Sequence, residues 1–142
     1  MKRILLITIA GLLLAGCATP IGQWKKSDLY WNEKIITARY DEAYARLLDG
    51  FRKDDDYAWE GTLYAEKKTG HFDIYVRNVL NLGKSSVGLA TIDIIQLEDG
   101  NTKVLIGCRN SRWADWCGKR WIKFAEGDYS SLDDPQPTQS DK

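Results

Sequence analysis

Between residues 57 and 108 apolar and polar side chains alternate in short runs, and this alternation limits the possible folds more than any other feature of the chain. Successive side chains of a strand point to opposite faces, so period two describes a sheet with one dry face and one wet face. In residues 57–66, Trp59, Gly61, Leu63 and Ala65 share one face, while Glu60, Thr62 and Glu66 take the other. In residues 71–77, Phe72, Ile74 and Val76 oppose His71, Asp73, Tyr75 and Arg77. Lys67-Lys68-Thr69-Gly70 supplies a hairpin turn between them. A third strand spans 85–97, but its apolar phase slips: Val87 and Leu89 are odd, Ile92 and Ile94 even. A bulge near Ala90 restores the phase. Glu98-Asp99-Gly100-Asn101 contains the Asp-Gly hairpin signal, and residues 102–108 make a fourth strand.

Helical spacing flanks this block. Ala43, Tyr44, Leu47, Leu48 and Phe51 fall on one face of a helix over 41–53, with Asp41 as N-cap and Gly50 fraying its end. Arg52 and Lys53 suit the negative end of its dipole. Trp113, Trp116, Cys117, Trp121 and Phe124 form a second stripe, with Gly127 as the terminal cap. Gly118 weakens this helix by about 1 kcal/mol relative to alanine. Residues 35–38 have the character of a short strand, and 129–142 are polar and proline-containing, the composition of a disordered tail. The expected architecture is α+β: an amphipathic helix, a four-stranded antiparallel meander sheet and a C-terminal helix. The globular domain is then 35–128, with 17–34 as a tether. Trp24, Tyr30 and Trp31 are unusual in a plain linker and are expected to dock on the domain.

The N-terminus carries a different signature. Lys2 and Arg3 precede an apolar run over 4–14, followed by the small residues Ala15 and Gly16, the order of a secretory signal. The run is about half the roughly 20 residues a spanning helix needs. Leu14-Ala15-Gly16-Cys17 resembles the lipobox of bacterial lipoproteins. The resemblance covers residues 1–17. It implies that a diacylglycerol is joined to the Cys17 thiol, that residues 1–16 are removed, and that the new amine is acylated. Two or more chains give stable anchoring where one is marginal. Ala18 in place of aspartate implies, by the sorting rule of that family, the periplasmic face of the outer membrane in a Gram-negative host.

With Cys17 lipidated, Cys108 and Cys117 remain of the three cysteines. In an oxidising compartment an even pair reads as a disulfide, worth roughly 2–3 kcal/mol for so short a loop. The spacing is not that of a Cys-X-X-Cys redox motif. The chain has 20 basic and 20 acidic residues and no basic stripe, which disfavours nucleic-acid binding.

No catalytic constellation emerges. His71 is the single histidine and stands beside Asp73 without a Gly-x-Ser-x-Gly elbow, so it reads as an exposed, turn-proximal residue. Its isolation also removes histidine-based zinc sites. Asp54-Asp55-Asp56 lacks the spacing of a calcium loop and reads as a solvated turn. Glu60, Glu66 and Asp73 are ordinary strand-surface carboxylates unless the fold converges them. Trp113, Trp116 and Trp121 have the spacing of core residues; any left exposed is a candidate ligand platform. The expected function is a membrane-anchored, non-enzymatic accessory or scaffold domain of the envelope, with no metal or cofactor. It offers a sheet edge or the exposed sheet face to an envelope protein. The alternatives are a glycan, peptidoglycan or small-ligand binder using aromatic residues, or an inhibitor of an envelope enzyme.

Overall fold

The computed structural model describes residues 24–77 and 84–134. The signal, the lipobox and Cys17 lie outside the described residues, as do 135–142 of the expected tail. A 3₁₀ turn, Lys26–Asp28, leads into β1 (Tyr30–Ile36), then α1 (Tyr40–Lys53), β2 (Tyr57–Tyr64), β3 (Thr69–Arg77), β4 (Lys84–Gln96), β5 (Thr102–Cys108) and α2 (Ser111–Glu126). A second 3₁₀ turn, Ser130–Asp133, follows. The strands form one antiparallel sheet in the order β1-β5-β4-β3-β2.

The α+β class and the meander from β2 to β5 agree with the sequence reading, but the sheet has five strands, not four. The added strand is β1, which takes in Ile35 and Ile36 of the expected short strand and extends back through residues 30–34, expected to be tether. Tyr-Trp-Asn-Glu-Lys shows no alternation that marks a strand. These residues are extended because β5 has an unpaired edge to offer, and because the face of β1 toward α2 finds partners there. Asn32 donates from Nδ2 to the Ala114 carbonyl of α2 at 2.7 Å, and Lys34 meets Glu126 at 2.7 Å. A Cβ at Gly118 would fall 2.4 Å from Asn32 Cγ, so the glycine that weakens α2 locally is what lets β1 dock.

Both helices cover one face of the sheet. Phe72, Ile74, Ile92, Ile94, Val104 and Ile106 point inward from the strands, against Leu47 and Phe51 of α1 and Trp121 and Phe124 of α2. Each such side chain contributes roughly 1.5–3 kcal/mol by leaving water. The helices approach closely at Gly50, where a Cβ would lie 2.4 Å from Phe124 Cδ2. Gly50 is therefore a buried packing position, and α1 continues past it to Lys53.

Local signals were read with an error of a residue or two. Arg39, not Asp41, occupies the N-cap of α1, because Gln96 Oε1 accepts the Tyr40 N–H at 2.9 Å and starts the helix earlier. The bulge in β4 falls at Leu89: Ile74 pairs with Ala90 and Tyr75 with Gly88. The first hairpin turns at Ala65–Lys68, closed by Lys68 N–H to the Ala65 carbonyl at 3.2 Å, two residues before the expected turn. Gly100 (φ 87°) and Gly127 (φ 84°) take the left-handed conformation their assigned turn and cap require. At the other end of α2, Asn110 Oδ1 accepts the Arg112 and Trp113 N–H groups at 2.9 and 3.4 Å.

The segment from Tyr129 to Asp134, expected within the disordered tail, belongs to the domain. Tyr129 donates to the Arg46 carbonyl at 3.1 Å, and Lys53 Nζ sits 4.0 Å above its ring. Arg120 donates to the carbonyls of Ser131 and Leu132 at 2.5 and 3.4 Å. Its guanidinium also meets Asp54 Oδ2 from Nε at 3.1 Å and from Nη2 at 2.9 Å, with both residues 4% exposed. Asp54 is thus no solvated member of an acidic turn; it anchors a buried ion pair, while Asp55 stays in water. No helix among the described residues is long and apolar enough to cross a membrane.

Candidate functional site

The sheet face opposite the helices carries the polar half of the alternation. The strand register aligns two cross-strand rows there. One runs Thr62–His71–Asp93–Leu105–Glu33, the other Glu60–Asp73–Thr91–Gly107–Trp31. His71 therefore meets two carboxylates. Its Nδ1 lies 2.7 Å from Asp93 Oδ1 and its Nε2 lies 3.0 Å from Asp73 Oδ1, with Thr91 Oγ1 3.4 Å from the same Nε2.

A neutral imidazole carries one N–H and can donate once; two contacts to acceptor-only carboxylates call for the doubly protonated ring. The electrostatics agree. The hydrogen bond to Asp93 holds the His71 pKa above its ordinary value, burial works against it, and the charge and hydrogen bond of Asp73 add to the rise. A catalytic histidine keeps one nitrogen for the substrate or nucleophile. Here both lie within hydrogen-bond distance of carboxylates. Glu60, opposite Asp73 across the β2–β3 ladder, accepts from the Tyr75 hydroxyl at 3.2 Å instead of joining the trio. Among the described residues no three His, Cys, Asp or Glu side chains are arranged to hold a metal ion.

Trp31 closes the second row. Its Nε1 donates to the Lys26 carbonyl at 2.9 Å, and its ring lies over Gly107, where a Cβ would be 2.8 Å from Cη2. Glycine at 107 is the notch that admits the indole onto the sheet. Trp24, Lys26 and Leu29 rise beside it, with the Arg109 guanidinium 5.2 Å from the Trp24 ring. Together with Trp31 they wall a cavity of about 340 Å³ floored by His71, Asp73, Thr91 and Asp93. A second cavity of about 420 Å³ shares His71 and Asp93 and continues toward Tyr64, Thr69 and Ile95. The two form one trough along the open face.

A larger cavity of about 660 Å³ follows the outer side of α2. Several of its charged groups pair within the domain, Lys34 with Glu126, Lys119 with Asp115 and Arg120 with Asp54, while the buried Ser131 hydroxyl has no hydrogen-bond partner. The trough differs in leaving carboxylate oxygens open.

The tryptophans expected as a possible platform lie elsewhere. Trp121 is fully buried, and Trp113 and Trp116 are half-buried, edge to face with centroids 5.6 Å apart and packed against Tyr57. Trp121 belongs to the core, Trp113 and Trp116 pack against it partly buried, and Trp116 also lines the cavity along α2. Cys108 and Cys117 are both buried as free thiols, 4.5 Å apart: the fold brings them together without a bond between them. The hydrogen bond with Cys108, then burial, push the Cys117 thiol up.

Asp93, Thr91 and the Trp31–Gly107 stack escaped the sequence reading. The signal for the first two was present, since both follow the polar phase of β4 and the Asp-Gly hairpin limits its register. The third needed β1. Comparison with family models, with curated proteins and with solved structures returned no match to this chain.

Proposed function

We propose that this chain is a lipoprotein of the bacterial envelope. Residues 1–16 leave as a signal, Cys17 carries the lipid, and the domain stands at the periplasmic face of the outer membrane. There it works as a non-enzymatic accessory module, and its working surface is the helix-free face of the sheet. One observation carries this reading: both helices cover a single face, while the other bears a trough with an aromatic wall and a fixed Asp-His-Asp floor. The engagement of both imidazole nitrogens supports binding over general-base chemistry. A variant in which a partner adds at the sheet edge is favoured by β2, one of the two edge strands, which exposes Leu63 and Tyr64.

Two measurements test the reading. Intact mass of the native protein should correspond to a chain beginning at a lipid-bearing Cys17, and Cys17→Ser should abolish membrane retention. Photocrosslinkers at Thr62, on the open face, should trap a defined envelope component, while the same group at Asp115, on the outer side of α2, should not. An unmodified Cys17, or crosslinks confined to Asp115, refutes it.

A further inference from the structure

We propose that the open-face trough binds a neutral pyranose ring of an envelope glycan, stacked on Trp31 and hydrogen-bonded by Asp73 and Asp93. The inference rests on the reading of the helix-free face as the working surface and names the chemistry of its ligand.

The hydrogen-bonding capacity of the floor is one-sided. Asp73 and Asp93 each give one oxygen, Oδ1, to His71. Among the described residues their second oxygens accept no hydrogen bond, yet both side chains are only partly exposed, at 25% and 29%. The floor therefore offers charged acceptors and suits a ligand rich in donors. Sugar hydroxyls donate, and hydrogen bonds to carboxylates are about twice as strong as neutral ones. Thr91 and, in the neighbouring cavity, Thr69 add hydroxyls that can donate or accept.

The wall is apolar and rigid. Trp31 is held at both ends, by its Nε1 bond to Lys26 and by its seat over Gly107. It needs no ordering when a ligand arrives, which removes one cost of binding. A pyranose presents an apolar C–H face alongside its hydroxyl rim, and burying that face against an indole is favourable by area alone. Cavities of about 340 and 420 Å³ fall in the range of small-molecule sites.

Charge separates a sugar from the obvious rival, an arginine or lysine of a protein partner. Aromatic walls and carboxylates also suit cations. But the trough is not purely acidic: the Lys26 ammonium stands at its wall, and His71 lies between Asp73 and Asp93 with its pKa held above the ordinary value, chiefly by the hydrogen bond to Asp93. A cation would enter beside that ammonium. A neutral ring meets no such opposition.

The test is an NMR titration of the full chain, held in a zwitterionic detergent that has no sugar headgroup. The probes are chitotriose, cellotriose, the fully deacetylated and cationic form of chitotriose, and an acetylated tri-arginine amide. A neutral trisaccharide should shift the Trp31 indole and the Thr91 and Gly107 amides while leaving Trp121 unmoved. Asp93→Asn should weaken that binding about tenfold or more, the effect of losing one hydrogen bond to a charged group. Trp24→Ala, at the rim and away from the core, should weaken it while the remaining amide spectrum stays in place, which guards against misfolding of the first variant. The deacetylated trimer should bind no more tightly than the neutral one. No trough shift with either neutral sugar overturns the proposal, as does tighter binding of tri-arginine at the same resonances. In both cases crosslinking at Thr62 would leave the open face standing as the working surface; crosslinks confined to Asp115 would remove that surface instead.

Discussion

Arg120→Met probes the one fully buried ion pair among the described residues. The guanidinium makes two contacts to Asp54 Oδ2, at 2.9 and 3.1 Å, bonds the Ser131 carbonyl at 2.5 Å, and stacks 4.9 Å from the Trp116 ring. Methionine keeps much of the volume and removes every donor. Asp54 would then be a buried carboxylate without a counter-charge, a situation that costs about 3–5 kcal/mol. Against the 5–15 kcal/mol typical of a domain, this is about a fifth or more of the total. Urea unfolding followed by tryptophan fluorescence measures it. With a slope of about 2 kcal/mol/M the midpoint should fall by roughly 2 M. The double variant Asp54→Leu/Arg120→Met separates the pair from the packing. It removes the stranded charge, so it should be more stable than Arg120→Met, losing mainly the bond to Ser131, about 1–3 kcal/mol. Salt should change the wild-type midpoint little on account of this pair, since buried charges are poorly screened. A single-variant loss below about 1 kcal/mol, or strict additivity in the double variant, would mean that Asp54 is neutral or hydrated in the folded protein, and the reasoning fails.

Three further outcomes follow from the same geometry. Gly50→Ala should destabilise by about 1–3 kcal/mol in calorimetry although alanine favours helix, because its Cβ would sit 2.4 Å from Phe124 Cδ2; a stabilised variant would show that α1 and α2 can separate freely. Asn110→Ala should lose about 1 kcal/mol by removing the side-chain cap of α2, and Asn110→Ser should restore most of it. His71→Gln should show a pH-dependent penalty. The folded pKa is raised, so the protonated ring's contribution is fully present below the ordinary value of 6.5 and is lost as pH climbs through the higher folded value. The difference between wild type and variant should therefore shrink from mildly acidic to alkaline pH; a constant difference would mean the ring does not titrate between its two carboxylates.

Much of the fold could be read along the chain, and the limits of that reading have a physical cause. Period two over residues 57–108, the Asp-Gly hairpin and the helical stripes are local properties. They set β2 to β5, the slipped phase of β4, and α2 ending at Gly127. The core placement of Trp121 followed from spacing alone. Features that depended on a distant partner were misread. β1 exists because β5 offers an edge and Gly118 leaves room for Asn32, neither of which is encoded near residue 30. Asp54 reads locally as one of three solvated aspartates; only the approach of Arg120, 66 residues away, makes it a buried anion.

The trough shows the same division. Of the residues that floor it, His71 and Asp73 were placed by alternation on the wet face of their strand, whereas Thr91 and Asp93 were not singled out. Which of them touch was decided by register, because a one-residue slip would have sent Asp93 into the core and left His71 alone. Its aromatic wall came from a segment with no periodic signal, seated by the missing side chain at Gly107. Sequence determined what each strand could show to water, since side-chain direction is a property of the local backbone. Tertiary structure decided what stood together there, since contact between strands depends on pairing across the whole sheet.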